Sequence, residues 1–419
     1  KTNDASGDIQ LFSVTAHTLN VTNSGATSGS DIIDDNDNDE AFTISGVSTF
    51  TTTGDGEIAL NNTSGHAFTG AVSLNTGTGN AAVVDTSGLD LGLSTVGGTL
   101  SATAVLGGIT DAGVLTITGA SAFTTNADGV AILFNENHAF TGAVTITTND
   151  SDGSDSDATI SAGSSAELKL AASTIDGDLI ITSSHATGIS QTGVLTVGGT
   201  SSFTTSAGGA DIDLSTSANM FTGAVELNTS GSSGHVTVTT GATELSLAAS
   251  AVGGNLTLTT GDNIIQTGGL VVGGTTTLEA PSEVVTLNNA DNDFQGPINV
   301  VNGFKTQITD KNAVELGDIA SSRWLYFFAG GAVTQTAASA ITDGSTTLKI
   351  QAGSNDITLK NENNVLDNFS IWTGKDIEVV SNRAVQIGYV LFDAITASGD
   401  FKLTARGAVT DQDPATPFV

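Results

Sequence analysis

The chain repeats itself, and the period limits what it can fold into. Phe-Thr-Gly-Ala-Val occurs at Phe68, Phe140 and Phe221, and Phe-Gln-Gly-Pro-Ile follows at Phe294, with spacings of 72, 81 and 73 residues. Upstream of each copy, Phe50, Phe123, Phe203 and Leu278 follow a short run of glycine, alanine, serine and threonine. A third motif reads Val96-Gly-Gly-Thr-Leu, Ile175-Asp-Gly-Asp-Leu and Val252-Gly-Gly-Asn-Leu. A fourth reads Ile109-Thr-Asp, Ile189-Ser-Gln, Ile264-Ile-Gln, Val333-Thr-Gln and Val409-Thr-Asp, with Ile32-Ile-Asp as its first copy. Together they make five long repeats of roughly 75 residues.

Each long repeat divides into three or four units of about 20–25 residues, closed by Gly-, Asn-, Asp- or Ser-rich turns. Stretches such as Leu195-Thr-Val, Ala224-Val-Glu-Leu, His235-Val-Thr-Val and Asn255-Leu-Thr-Leu alternate apolar and polar residues, the pattern of a strand. Helical spacing with a capped start is absent. Two architectures accept such strands: a string of small sandwiches, or a solenoid in which each unit is one coil. Sandwiches centre on a bulky aromatic and are joined by proline-bearing linkers. Residues 1–300 contain no Trp or Tyr, and Pro281 and Pro297 fall inside the repeat. The expected fold is therefore all-β, a parallel β-helix. Residues such as Val225 and Leu227 point inward, and Phe68, Phe140, Phe221 and Phe294 fill a corner of the core. Residues 1–302 read as the regular repeat. Residues 303–419 read as its continuation, richer in basic and aromatic side chains.

Composition narrows the function. With 44 acidic and 11 basic residues the formal charge is −33, so a phosphate-reading surface is excluded and anionic membranes are disfavoured. No apolar run approaches the ~20 residues that span a bilayer. Charged residues make up 13% and hydrophobic ones 38%, which is not the balance of a disordered chain. Without cysteine there is no disulfide framework. No leader-like segment precedes Lys1, which reads as a processed start or as the start of one segment of something longer.

Two acidic clusters stand where the repeat is lengthened: Asp31, Asp34, Asp35, Asp37, Asp39 and Glu40, then Asp150, Asp152, Asp155 and Asp157 around Gly153. Calcium takes six to eight oxygen ligands, which Asp-x-Asp loops supply, whereas a solvated charged loop needs none. Both readings stand for Asp31, Asp34, Asp35, Asp37, Asp150, Asp152, Asp155 and Asp157, and calcium is the one cofactor considered. The glutamate that completes an EF-hand is missing. His66 and His138 precede Ala-Phe-Thr-Gly where later copies have Asn219-Met and Asp293, which reads as a turn position rather than a ligand pair.

Between Lys1 and Lys305 the only basic residue is Lys169, and both Trp and both Tyr lie beyond residue 304. Arg323-Trp-Leu-Tyr-Phe-Phe is the sharpest aromatic cluster. It reads either as a platform for carbohydrate or a partner, through Trp324 and Tyr326, or as a larger core of which alternation buries half. Polysaccharide-cleaving enzymes need clustered carboxylates with basic or aromatic groups lining a groove. Asp376, Glu378 and Arg383 show no nucleophile or metal pattern, so catalysis is not expected.

Several stretches resemble the repeat region of filamentous-haemagglutinin-type exoproteins, large bacterial adhesins exported by two-partner secretion. They include Thr286-Leu-Asn-Asn-Ala-Asp-Asn-Asp-Phe-Gln-Gly-Pro-Ile, Leu359-Lys-Asn-Glu-Asn-Asn, Leu403-Thr-Ala-Arg-Gly-Ala-Val-Thr and Ile189-Ser-Gln-Thr-Gly-Val-Leu-Thr-Val-Gly-Gly. The resemblance runs over nearly the whole chain. It implies a right-handed parallel β-helix, an extracellular or cell-surface location, and adhesive or coat-forming roles. An amino-terminal secretion-domain pattern is not seen.

Ser6-Gly-Asp-Ile-Gln-Leu matches Ser398-Gly-Asp-Phe-Lys-Leu, so both ends read as ordinary coils. Open coil ends pair with matching strands, and a head-to-tail contact between copies does not close. A homopolymeric surface filament is therefore expected, with Pro414, Pro417 and Phe418 as a latch. The alternatives are a stalk of a longer adhesin that binds cell-surface glycans and, more distantly, a β-helical polysaccharide lyase or hydrolase.

Overall fold

The computed structural model describes residues 7–25, 29–34, 41–62, 65–149, 155–343, 347–366, 368–387 and 395–411. The chain divides into two compact units, residues 1–210 with 220–223, and residues 211–219 with 224–419. Each is a β-solenoid, with no helix among the described residues. In the first unit Ala81 pairs with Leu100, Leu100 with Ser121 and Ser121 with Val144, all in parallel, in steps of 19, 21 and 23 residues. In the second, Val236, Leu256, Thr276 and Ile298 advance by 20, 20 and 22. One step is one coil.

Alternation sets what lies inside. In Leu100–Ala104, Leu100, Ala102 and Ala104 are buried while Ser101 and Thr103 face out. Parallel stacking then puts like position on like position, and one interior column reads Val83, Ala102, Phe123, Ile146. Small Ala102 leaves room for large Phe123 beside it, and each buried Val, Ile or Phe contributes about 1.5–3 kcal/mol. Phe68, Phe140 and Phe221 are buried in the first unit and Phe294 in the second. Phe140 meets Phe123 edge-to-face at 5.9 Å, and Phe221 meets Phe203 in the same way at 6.1 Å.

The glycines of three motifs share one corner. The Gly98 amide donates to the Gly79 carbonyl and the Gly119 amide to Gly98, each at 2.9 Å, and Gly142 of Phe-Thr-Gly stacks next. A β-carbon on Gly142 would lie 2.3 Å from the Gly119 carbonyl carbon and oxygen, so successive turns touch backbone to backbone. Gly234, Gly254 and Gly274 repeat the ladder in the second unit at 2.8 and 2.9 Å.

In three of the long repeats one strand faces two. Val72–Asn75 pairs at Val72 with Leu91 and at Asn75 with Thr95, which lie on separate short strands, Leu89–Leu91 and Ser94–Val96. Val144–Thr147 likewise faces Leu170 and Thr174, and Val225–Ser230 faces Leu247 and Ala251. The new corner interrupts the ladder, and a buried serine fills the gap. Ser94 Oγ accepts the Leu74 amide at 3.0 Å, Ser173 Oγ the Ile146 amide at 3.0 Å, and Ser250 Oγ the Leu227 amide at 3.1 Å. Left unpaired, each amide would cost about 1–3 kcal/mol.

Candidate functional site

The cations of the second unit divide by what they touch. Lys311, Lys360, Lys375, Lys402 and Arg406 each reach a carboxylate. Lys305 and Arg323 lie over aromatic rings instead. Lys305 Nζ is 4.5 Å from the Trp324 ring centre, and Arg323 Cζ is 5.2 Å from Trp324 and 5.5 Å from Phe304. Lys349 Nζ lies 5.3 Å from Tyr326 and 5.5 Å from Phe328. A ring attracts a cation by ~0.5–1 kcal/mol at an exposed site but carries no net charge, so the positive charge is not cancelled. Burial holds the Lys349 ammonium below the usual lysine range.

Strand register assembles this face. Lys305 and Trp324 are partners, as are Gln307, Tyr326 and Lys349, and Thr309, Phe328 and Gln351. Alternation buries Leu325 and Phe327 and turns Trp324, Tyr326 and Phe328 outward, partly exposed. Arg323–Phe328 therefore divides between the core and the surface. The coil before contributes Val284 and Thr286. None of these outward positions carries a carboxylate, in a chain with four acids for every base. The Trp324 and Tyr326 rings lie nearly parallel, with centres 6.1 Å apart and planes 13° apart.

Beside this face the coil corner opens into a cleft of about 560 Å³, lined in part by Ser282, Asn302, Gly303, Ser321, Ser322 and Arg383. The backbone departs from the ladder here. Ser282 and Asn302 have φ of 66° and 58°, and Pro281 bridges Gly303 in antiparallel sense. The pairing of Ile298–Asp310 with Val314–Ala329 slips register three times between Ile298 and Lys305. Left-handed backbone at a non-glycine residue is held only where surrounding contacts over-determine it.

The acidic residues singled out from the sequence separate in the structure. Asp34 is the buried last residue of the strand Ile32–Asp34 rather than part of a solvated loop, because its carboxylate has work inside. It accepts the Asn62 amide at 2.8 Å and faces His66 at 2.9 Å. Asp31 accepts the Glu57 amide at 2.7 Å, and exposed Asp157 accepts the Asp178 amide at 2.8 Å. Asp155 is exposed. Asp35, Asp37, Asp39, Glu40, Asp150 and Asp152 lie outside the described residues, as do Pro414, Pro417 and Phe418. Among the described residues no three His, Asp or Glu side chains converge as metal ligands.

Asp157 belongs to a series that explains part of the acidity. An Asp, Asn or His at one turn accepts the amide one coil further on. Asp178 takes Thr200 at 2.6 Å in the first unit; Asp211, His235 and Asn255 take His235, Asn255 and Thr275 at 2.7, 2.9 and 2.9 Å in the second.

His66 and His138 are not turn residues: His138 lies in the strand Ile132–Phe140, and His66 bridges Asp85 in parallel. Both are fully buried, and their counterparts in the second unit are Asn219, Asn292 and Asn364, equally buried, so that Asn292 rather than Asp293 is the equivalent position. Each accepts a strand amide: Phe42 on His66 Nδ1 at 3.2 Å, Leu115 on His138 Nδ1, Leu270 on Asn292 Oδ1 and Ile341 on Asn364 Oδ1, each of these at 2.9 Å. With Nδ1 accepting, each imidazole carries its proton on Nε2, which faces Asp34 at 2.9 Å in one repeat and Asp111 at 3.2 Å in the next. In the second unit the partner is glutamine. Gln266 donates to Asn292 at 2.8 Å and accepts from it at 2.9 Å; Gln335 and Asn364 do the same at 2.7 and 2.9 Å. These partners are the third residue of the Ile-Thr-Asp motif. The signal in the sequence was joint change: Asp accompanies His, and Gln accompanies Asn.

No curated protein and no solved structure matches the chain. The family described as repeats of unknown function (DUF5649) matches residues 78–147, 155–228, 233–301 and 303–371. Each matched segment contains one strand of the Phe-Thr-Gly type, or its Leu366 counterpart, near its end. With well over half of its length matched in four consecutive copies, the chain belongs to this family of repeats.

Proposed function

We propose that this chain is a structural repeat protein of the bacterial cell exterior, part of a surface filament, coat or adhesin stalk. The observation that carries the reading is the side-chain bonding from coil to coil, in which Asp157, Asp178, Asp211, His235 and Asn255 each hold the next turn. Every coil is thereby a template for another. The likeness of the repeats to those of filamentous-haemagglutinin-type exoproteins supports the same reading. Stacking of copies is favoured by the last described coil. Phe401 and Val409 pair with Ile377 and Val385, which are 1% exposed, yet are themselves 39% and 50% exposed. They offer an apolar surface on which a second copy stacks. Electron microscopy and sedimentation test the assembly. Rods that lengthen with concentration, and shorten with Phe401→Glu, support stacking; particles of one fixed size at every concentration overturn it.

A second reading, adhesion, is favoured by the basic and aromatic face of the second unit, where the register partners of Trp324 and Tyr326 carry no carboxylate. Retention of the chain on cell surfaces, lost with Trp324→Ala, tests it. Equal retention of the variant counts against this face.

A further inference from the structure

We infer that the face around Lys305, Arg323 and Trp324, together with the adjoining cleft, binds an acidic polysaccharide, a sugar chain bearing carboxylate or sulfate groups. The inference rests on the adhesive reading and names its ligand class.

Charge is the first argument. A chain of formal charge −33 repels polyanions over most of its surface, so an anionic ligand is held only where positive charge is concentrated and uncancelled. Among the described residues Lys305 and Arg323 meet that condition, because they lie against Trp324 and Phe304 where the lysines and arginine named above lie against carboxylates. No carboxylate stands among the outward partners of Lys305, Trp324 and Tyr326.

Shape and hydrogen-bonding capacity supply the second. The nearly parallel Trp324 and Tyr326 rings run side by side along one strand and offer apolar surface to the C–H faces of sugar rings. The corner cleft adds the hydroxyls of Ser282, Ser321 and Ser322 and the amide of Asn302, donors and acceptors suited to sugar hydroxyls.

An acidic peptide suits this face less well. Extended peptides dock by adding a strand to a sheet edge. The strand Val314–Ala329 is already paired on both sides, with Ile298–Asp310 and with Thr347–Gln351, so recognition here falls to side chains alone.

The test uses the full chain and four probes: polygalacturonate, dextran sulfate, neutral dextran and polyglutamate, titrated at low and physiological salt. Binding to either acidic polysaccharide is expected, with little or none to dextran or polyglutamate. Lys305→Glu combined with Arg323→Glu is expected to weaken it at least tenfold, and Trp324→Ala several-fold. Lys402→Glu, which alters a cation paired with Glu378 on another face, should leave it unchanged. Lys305→Gln, a mild surface change, keeps the comparison readable if the double variant unfolds, and is expected to weaken binding several-fold. Equal binding of dextran overturns the inference while leaving an adhesive, neutral-sugar face. Equal binding of polyglutamate reduces the face to charge alone and also overturns it. Failure to bind any probe while cell-surface retention persists overturns the ligand class only; loss of both removes the adhesive reading as well.

Discussion

His66 Nε2 lies 2.9 Å from Asp34 Oδ2, with both side chains almost wholly out of water. They stand 32 residues apart in the chain, yet in other repeats Asn292 and Asn364 face Gln266 and Gln335 in the same way. An imidazole with Nδ1 accepting and Nε2 donating presents the same pair of functions as a carboxamide, so the two columns exchange as a pair. His66→Ala is expected to cost about 3–5 kcal/mol, because a buried carboxylate loses its donor. The combined change Asp34→Gln and His66→Asn should stay within about 1 kcal/mol of the parent. Urea unfolding of the three proteins measures this, and a double variant as unstable as His66→Ala would show that the columns are not interchangeable.

The second such pair carries a pH signature. Burial holds the His138 imidazole below the ordinary histidine range, against the opposing pull of Asp111. The unfolded chain therefore takes up the proton first. The contribution is fully present above the unfolded value of about 6.5 and is lost as pH falls below it, toward the folded value. The unfolding midpoint is expected to drop between about pH 7.5 and 5.5, and less steeply in the variant Asp111→Gln with His138→Asn. Buried Asp85 and Asp310 act with opposite sign, since burial raises both carboxyls. Their contribution is greatest below the ordinary aspartate value and is lost as pH rises through the folded one.

Two buried serines should respond oppositely to the same substitution. Ser173 Oγ accepts the Ile146 amide where the ladder splits, so Ser173→Ala leaves that amide unpaired and is expected to cost about 1–3 kcal/mol. Ser121 Oγ is buried without a partner, so Ser121→Ala is expected to be neutral or stabilising by up to ~1 kcal/mol. Chemical denaturation of the pair decides it, and equal losses would contradict the assignment of Ser173 to the split.

Two glycines form a similar contrast. Gly142→Ala drives a β-carbon to 2.3 Å from the Gly119 backbone and should cost about 3 kcal/mol or more. At Gly208 a β-carbon meets nothing within 4 Å, so Gly208→Ala should be tolerated and can stabilise by ~0.5 kcal/mol through the unfolded chain. Thermal melts of both variants check the turn contact.

The sequence by itself determined the stack of parallel coils, the inward alternation and the burial of Phe68, Phe140, Phe221 and Phe294. A parallel stack sets like positions upon like, so its period is written directly in the chain. Only the tertiary structure decided what happens at the corners. It drew Asp34 inside to meet His66, gave Ser173 the amide of Ile146, and set Trp324 and Tyr326 outward while Leu325 and Phe327 went in. Alternation fixes the two faces of a strand relative to each other, but which face is inner depends on where the coil turns. That point is settled by the coil beneath, through side-chain bonds such as Asp178 to Thr200 whose partners stand about one coil apart in the chain.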